Sequence, residues 1–191
     1  TVNILIENLS KVKNKIRNIV SSSVKSTELL EANGFEVSEL RDVGRLTKYI
    51  DGADEVNKHL QMIKGGGGAL TREKILAHNS NQFICIVDDS KKVDMLGKFP
   101  LPIEVIPLSR SSVSLELIKH GGRPVLRENF VSDNGNLILD IHNLQIMEPI
   151  KLEQAINNIP GVVTNGIFAL DHANVLLCAS DSGVDKTDLN A

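Results

Sequence analysis

A short apolar run from Phe83 to Val87 ends abruptly at the polar sequence Asp88-Asp89-Ser90-Lys91. An apolar run of this length is typical of a strand that is covered on both faces, as strands of parallel sheets are. Strand and helix patterns alternate through the first half of the chain, which is the order that builds such a sheet. The sequence therefore predicts an α/β fold with a mostly parallel sheet and helices on both of its faces.

The N-terminal part of the chain predicts two helices. Apolar residues recur every three or four positions from Val2 to Ile16, which indicates an amphipathic helix. A second helix is expected to be capped by Ser26 or Thr27 and to stop at Gly34. Short strands are predicted before and after this second helix, over residues 16–20 and 35–37.

The second half of the chain predicts a smaller unit. The composition changes at Phe99-Pro100-Leu101-Pro102, a stiff connection that marks a predicted domain boundary. The patterns that follow run strand, helix, strand, strand, helix, strand, the order of a ferredoxin-like α+β unit. Asp133-Asn134-Gly135-Asn136 predicts a strong hairpin turn within it, because Asn-Gly supplies positive φ angles. The apolar run from Val175 to Ala179 predicts a return to the first sheet. We therefore expect residues 1–99 and 172–191 to form the α/β domain and residues 100–171 the small domain.

The composition excludes several classes of protein. The 191 residues include 21 Lys and Arg against 24 Asp and Glu, a net charge of −3, so the sequence predicts no nucleic-acid partner. Aromatic residues make up 3%, which is too few for base-stacking surfaces. No apolar run approaches the ~20 residues of a membrane span, so we expect no membrane partner either.

The cysteines and histidines predict no metal site. Cys85 and Cys178 each lie inside an apolar run, where a thiol behaves as a small hydrophobic residue. We expect both to be buried, unpaired core residues in a reducing cytoplasm. The five histidines show no spacing typical of metal ligands, so no metal is expected.

Three polar clusters follow predicted strands, and ligands of open parallel sheets bind beyond the carboxyl ends of the strands. We therefore expect the clusters to share one crevice. The first contains Asp51 and Asp54, which can form Asx turns or can handle the hydroxyl protons of a polyol. Gly52 and Ala53 between them leave room for a ligand to approach closely.

The second cluster is Lys64 followed by four glycines, Gly65 to Gly68. Each glycine costs roughly 0.5–1 kcal/mol of extra chain entropy, so such a run is expected to serve a purpose beyond a flexible linker. At a helix entrance it exposes backbone N–H groups that can bind anionic or enolate oxygens. Nucleotide binding is disfavoured, because the run matches neither the Walker loop nor the dinucleotide fingerprint.

Glu73 lies in the helix that follows the glycines. Acidic residues favour helix N-termini for dipole reasons alone. Beside the lysine and the glycines, however, this carboxylate is placed to remove a proton from a carbon next to a carbonyl. In the third cluster, Lys91 is either a solvated surface residue or a substrate contact.

Several motifs resemble the type A ribose-5-phosphate isomerases. The two most specific are Tyr49-Ile50-Asp51-Gly52-Ala53-Asp54-Glu55-Val56 and Met62-Ile63-Lys64-Gly65-Gly66-Gly67-Gly68-Ala69-Leu70-Thr71-Arg72-Glu73-Lys74. Gly97-Lys98-Phe99-Pro100-Leu101-Pro102-Ile103-Glu104-Val105, Gly121-Gly122-Arg123-Pro124, Asp133-Asn134-Gly135-Asn136 and Ile159-Pro160-Gly161-Val162-Val163 add to the match. The similarity covers nearly the whole chain in order.

The resemblance implies both an activity and a fold. The family interconverts ribose 5-phosphate and ribulose 5-phosphate in the pentose phosphate pathway, with no metal or organic cofactor. Its fold is a Rossmann-like α/β domain with a small α+β domain, and its members are homodimers or homotetramers. A sugar phosphate is therefore the expected small-molecule partner.

The resemblance also implies roles for site residues. Glu73 would be the general base that moves a proton between C2 and C1 through a cis-enediolate. Asp51, Asp54 and Lys64 would assist ring opening and stabilise charge on O1 and O2. Gly65, Gly66 and Gly67 would donate backbone hydrogen bonds to that oxyanion. The implied substrate-binding set is Thr1, Asp51, Gly52, Ala53, Asp54, Lys64, Gly65, Gly66, Gly67 and Lys91.

Two other functions stay open at the level of sequence. A non-catalytic domain that senses sugar phosphates would need no base at Glu73. A coenzyme A transferase of similar topology would use a glutamate as a nucleophile. The resemblance also implies a strand and a Gly-Thr-Gly-Ser-Thr loop before the first helix, and Thr1 aligns with the last threonine of that loop. We therefore expect the natural chain to include residues before Thr1 that complete the substrate-binding loop.

Overall fold

A computed structural model describes residues 2–189 of the chain. The helices are α1 (Val2–Asn8), α2 (Val24–Ala32), α3 (Leu40–Val43), α4 (Leu70–His78), α5 (Arg110–Lys119) and α6 (Pro149–Asn157). The strands are β1 (Tyr49–Asp51), β2 (Glu55–Val56), β3 (Met62–Ile63), β4 (Phe83–Asp88), β5 (Leu101–Val105), β6 (Arg123–Leu126), β7 (Leu137–His142), β8 (Val162–Asn165), β9 (Ile167–Phe168), β10 (Val175–Ser180) and β11 (Gly183–Asp188). Short 3-10 helices cover Leu9–Lys15, Asp89–Lys91 and Pro107–Ser109.

A four-stranded central sheet has the order β1-β4-β10-β11. Strand β4 pairs in parallel with both β1 and β10, and β11 joins β10 in antiparallel orientation. Cys85 lies in register with Asp51 on one side and Leu176 on the other, so β1 ends beside the middle of the sheet. The predicted α/β class and the return of the chain to the first sheet at Val175 are both confirmed.

A second four-stranded sheet, the small sheet, has the order β6-β7-β5-β8, and every neighbouring pair is antiparallel. With α5 after β5 and α6 after β7, it confirms the predicted ferredoxin-like unit. The turn predicted at Asp133-Asn134-Gly135-Asn136 lies at the end of the connection between β6 and β7, residues 127–136. Gly135 has a positive φ of 78°, but Asn134 does not, so that part of the prediction is wrong.

A third sheet has three strands in the order β2-β3-β9, with both neighbouring pairs antiparallel. The chain passes from the small sheet to this one at Gly166, so β8 belongs to the small sheet and β9 pairs with β3. A Cβ on Gly166 would lie 2.3 Å from the backbone oxygen of Lys64, so only glycine fits there. The division into domains at residues 100 and 172 stays a prediction.

Three details of the N-terminal half correct the sequence predictions. The first helix ends at Asn8, and a 3-10 helix with non-helical angles at Val12 follows it. The cap of α2 is Ser23, whose side chain accepts a hydrogen bond from the N–H of Ser26, so neither Ser26 nor Thr27 is the cap. The two short strands predicted around α2 reduce to one parallel bridge between Ile19 and Val37.

The core lies in two large apolar clusters. One surrounds the central sheet and includes Phe83, Cys85, Phe168 and Cys178, so both cysteines are buried and free, as predicted. The other fills the small sheet and its helices and includes Ile103 and Ile156. Within residues 2–189, no helix has the length and apolar character that a membrane span requires.

Candidate active site

A cleft of about 400 Å³ opens at the carboxyl end of β1. Of the predicted site residues that the structure describes, all but Lys91 line it, and two residues of α1 join them. The lining residues are Val2, Asn3, Asp51, Gly52, Ala53, Asp54, Lys64, Gly65, Gly66, Gly67 and Glu73. The structure therefore brings the first two polar clusters of the sequence into one crevice, as their positions after strands predict.

Lys64 is the buried cation of the cleft. Its backbone N–H donates to the oxygen of Gly166 at 2.9 Å, which fixes the residue just beyond β3. Its Nζ donates to Asp51 Oδ2 at 2.9 Å and to the oxygen of Gly52 at 2.5 Å, and only 3% of the side chain is exposed. Burial by itself would lower the pKa of Lys64, but the carboxylates of Asp51 and Glu73 outweigh it and raise the pKa, so the ammonium stays charged.

Both carboxylate oxygens of Asp51 are engaged by protein donors. Tyr49 and Lys64 donate to Oδ2 at 2.5 and 2.9 Å, and the N–H of Gly52 donates to Oδ1 at 2.8 Å. Tyr49 is a member of the site that sequence reasoning missed. Its signal was present, because residues 49 and 51 of one strand point to the same face. Burial and the nearby carboxylates of Asp51 and Glu73 raise the pKa of the Tyr49 hydroxyl, so it remains a donor.

Glu73 lies in the first turn of α4 and points into the cleft, with 14% of its side chain exposed. Its Oε2 lies 3.3 Å from Lys64 Nζ, but the angles are not those of a hydrogen bond, and among the described residues this buried oxygen has no hydrogen-bond partner. Burial raises the pKa of Glu73 to about 7, although the charge of Lys64 opposes the shift. A carboxylate with this pKa can exchange protons near neutrality.

Asp54 is tied to the glycine loop, the segment Gly65 to Gly68. Its Oδ2 accepts a hydrogen bond from the N–H of Gly66 at 2.8 Å. A Cβ on Gly66 would lie 2.6 Å from Oδ1 of Asp54, so a side chain at this position would displace the carboxylate. The loop closes with a hydrogen bond of 2.9 Å from the N–H of Gly68 to the oxygen of Gly65, and it is a structured turn rather than a flexible linker.

One predicted substrate-binding residue, Lys91, is described and does not line the cleft. It ends the 3-10 helix after β4, where it is half-buried. Thr1 lies outside the described residues. Across residues 2–189, no group of three or more His, Cys, Asp or Glu side chains is arranged to hold a metal ion. The expectation of a metal-free site stays a prediction.

Comparison with known proteins identifies the family. The family model of ribose 5-phosphate isomerase A (phosphoriboisomerase A) matches residues 18–183. The chain belongs to the ribose 5-phosphate isomerase A family. Members of this family are aldose–ketose isomerases, so the chain is an enzyme of that class.

Solved structures of ribose 5-phosphate isomerases agree with this assignment. The enzyme A from Neisseria gonorrhoeae is 49% identical, with a TM-score of 0.96 over 98% of this chain and 84% of that one. The enzyme A from Methanocaldococcus jannaschii is 36% identical, with a TM-score of 0.91 over 97% of this chain and 86% of that one. A D-ribose-5-phosphate isomerase in complex with phospho-erythronic acid is 36% identical, with a TM-score of 0.90 over 98% of this chain and 84% of that one.

Proposed function

We propose that this chain interconverts ribose 5-phosphate and ribulose 5-phosphate through a cis-enediolate, with Glu73 as the general base. One observation carries the proposal: a buried carboxylate with a pKa of about 7 and an oxygen without a hydrogen-bond partner among the described residues points into the cleft beside a charged lysine. A group of this kind can accept a proton from carbon, because it is ionised near neutrality and its lone pair is not already used.

In the proposed reaction, Glu73 removes the proton from C2 of the open-chain aldose, and the electron pair moves to form the C1–C2 double bond with negative charge on O1. The same carboxyl then returns the proton to C1, while the hydroxyl proton on O2 moves to O1, which yields the ketose. No oxidant or reductant is consumed. Lys64 and the N–H groups of Gly65 and Gly67 stabilise the oxyanion. Neither N–H has an acceptor among the described residues.

The hydrogen bonds of Asp51 and Asp54 favour different roles for the two carboxylates. Asp51 already accepts hydrogen bonds on both oxygens, so we assign it the task of orienting Lys64. Asp54 uses only Oδ2 within the described part of the chain. Its other oxygen is therefore the better candidate for carrying hydroxyl protons during ring opening and transfer between O1 and O2.

The proposal also covers the remaining substrate contacts, the cellular location of the enzyme and its assembly. We keep Gly52, Ala53, Lys91 and Thr1 as substrate contacts. The enzyme is proposed to act in the cytoplasm as a homodimer or homotetramer, without a metal or organic cofactor and without nucleic-acid or membrane partners. A solved relative in complex with phospho-erythronic acid supports a phosphorylated sugar as the ligand, because such an acid carries a carboxylate where the enediolate carries its charge.

The test is proton NMR of ribose 5-phosphate in D₂O with the purified chain. We expect ribulose 5-phosphate to form and deuterium to appear at C2 of the remaining aldose. Binding of ribose 5-phosphate without turnover or exchange would contradict the proposal and would fit a sugar-phosphate sensor. Treatment with hydroxylamine in the presence of an acyl coenzyme A separates the transferase alternative, since only a covalent glutamyl thioester would be trapped.

A further inference from the structure

The guanidinium group of Arg127 joins the small sheet to the glycine loop. Its Nε and Nη2 donate to the two carboxylate oxygens of Asp140 on β7, at 2.8 and 2.5 Å. Its Nη1 donates to the backbone oxygens of Gly65 and Gly66, at 3.2 and 3.1 Å. One planar group therefore holds two consecutive carbonyl groups of the loop.

Because Arg127 holds these two carbonyl groups, the N–H groups of the same two peptide units are also fixed in direction. A trans peptide unit is planar, so its C=O and N–H point in opposite directions, and the described chain contains no cis peptide bond. The N–H opposite the Gly65 carbonyl belongs to Gly66 and donates to Asp54 at 2.8 Å. The N–H opposite the Gly66 carbonyl belongs to Gly67, which lines the cleft and has no acceptor among the described residues. Arg127 thus sets the direction of both donors.

The surroundings of Arg127 restrict its movement. Only 17% of its side chain is exposed, and 19% of that of Asp140. The ring of Phe130 lies 5.3 Å from the Arg127 Cζ atom, and the same ring packs so closely on Gly68 that a Cβ there would lie 2.1 Å from it. A bidentate pair with Asp140 and a ring against its face leave the guanidinium few alternative positions.

We propose that Arg127 is a positioning residue for the isomerisation, which holds the glycine loop so that the N–H of Gly67 is aimed at the oxyanion of the enediolate. The proposal rests on the function proposed above. Arg127 does not line the cleft, and so it acts through the loop rather than on the substrate. Lysine cannot replace it, because a single ammonium group does not reach Asp140 and two carbonyls at once in a fixed plane.

The test compares Arg127→Lys and Arg127→Met with the same substitutions at Arg123, an exposed arginine on β6. Both Arg127 variants are expected to lose about 10–100-fold in kcat with KM changed by less than about three-fold, because the oxyanion forms only after binding. Both Arg123 variants should keep the parent's kcat. A kcat within about two-fold of the parent in Arg127→Lys would overturn the proposal, whether or not Arg127→Met folds.

Amide hydrogen exchange, followed by mass spectrometry of peptides that cover the glycine loop, separates this proposal from the proposed function. Exchange should be at least about ten-fold faster in Arg127→Lys than in Arg123→Lys, because the loop opens more often. Equal exchange in the two variants would overturn the proposal. A parent chain without isomerase activity would overturn the proposed function, and the exchange rates alone would then decide whether Arg127 holds the loop.

Discussion

The Nζ atom of Lys64 lies 3.3 Å from Oε2 of Glu73 but gives its hydrogen bonds to Asp51 and to the oxygen of Gly52. The ammonium is close enough to attract the charge of Glu73 without occupying its lone pair. Among the described residues, no group donates a hydrogen bond to that oxygen. Buried polar atoms that serve only stability are nearly always hydrogen-bonded, so an unpartnered carboxylate oxygen in a cleft indicates a chemical role.

Replacing Glu73 by glutamine tests that role directly. The amide keeps the shape of the side chain but cannot accept a proton from carbon, so we expect kcat to fall by about 10²–10⁴-fold while KM changes little. Steady-state kinetics with ribose 5-phosphate measure both constants. Glu31→Gln, on the exposed side of α2, is the matched control and should behave as the parent does. A loss of only a few-fold in Glu73→Gln would show that another group is the base.

The rate should depend on the ionisation of Glu73. Burial raises its pKa to about 7, and only the ionised form can act as a base. The value of kcat/KM is therefore expected to fall as the pH drops through about 7 and to level off above it. A rate profile from about pH 5 to about pH 9 measures this. A profile that is flat across neutrality would contradict the assignment of the raised pKa.

The raised pKa of Glu73 also predicts that the free energy of unfolding falls as the pH rises, whereas the rate increases. Between the ordinary value of 4.5 and about 7, the folded chain binds the proton of Glu73 more tightly than the unfolded chain does. The resulting stabilisation is fully present below the ordinary value and is lost as the pH rises through about 7. We expect the free energy of unfolding of the parent to decrease relative to Glu73→Gln over this interval. Urea denaturation of both proteins at each end of the interval provides the comparison, and parallel curves would contradict the prediction.

Two neighbouring glycines offer a matched pair for the geometry of Asp54. A Cβ on Gly66 would lie 2.6 Å from Asp54 Oδ1, whereas a Cβ on Gly67 would have no heavy atom within 4 Å. Neither residue has a positive φ, so backbone strain does not distinguish them. Gly66→Ala is therefore expected to reduce kcat by about 10²-fold, and Gly67→Ala by much less. Equal losses in the two variants would mean that the loop, rather than the position of Asp54, determines the rate.

The buried carboxylate of Glu104 on β5 is expected to stabilise the fold rather than to react. It accepts hydrogen bonds from Thr71, Ser132, Asn134 and Asn136, and within residues 2–189 it forms no ion pair. These donors outweigh burial and lower the pKa of Glu104. In Glu104→Gln, the NH₂ group of the glutamine faces these hydrogen-bond donors and cannot accept from them. We expect it to lower the free energy of unfolding by about 1–3 kcal/mol. Glu116→Gln on the exposed side of α5 should change it by less than about 0.5 kcal/mol, and urea denaturation measures both.

The fold was predictable where local pattern and burial agree. The apolar run of β4 and the Asp-Gly-Ala-Asp sequence that begins at the last residue of β1 indicated where both strands of the parallel pair end. Strand β11 was not predicted, because its residues are mostly exposed and polar and it exists through pairing with β10. The segments on either side of α2 have strand composition, but they pair only through the single bridge between Ile19 and Val37.

In the site, too, some residues were predictable from the sequence and others were not. Asp51, Lys64 and Glu73 stand next to turns and helix entrances in the sequence, so their meeting in one cleft followed from the topology of a parallel sheet. Arg127 has no local signal, since its partners in the glycine loop are 62 and 61 residues away along the chain. Such long-range contacts depend on how the small sheet packs against the glycine loop. Hydrophobic periodicity and turn residues in the sequence do not specify that packing.

Gly166 has a consequence for how the cleft admits a ligand. This residue accepts a hydrogen bond from the N–H of Lys64 and donates one to the oxygen of Pro102 at 2.8 Å, so the central lysine and the small sheet share one backbone junction. A hinge motion of the small sheet would either break that junction or carry Lys64 away from Asp51. We therefore expect the small sheet and Lys64 to keep their relative position while a ligand enters, with any opening confined to loops around the cleft.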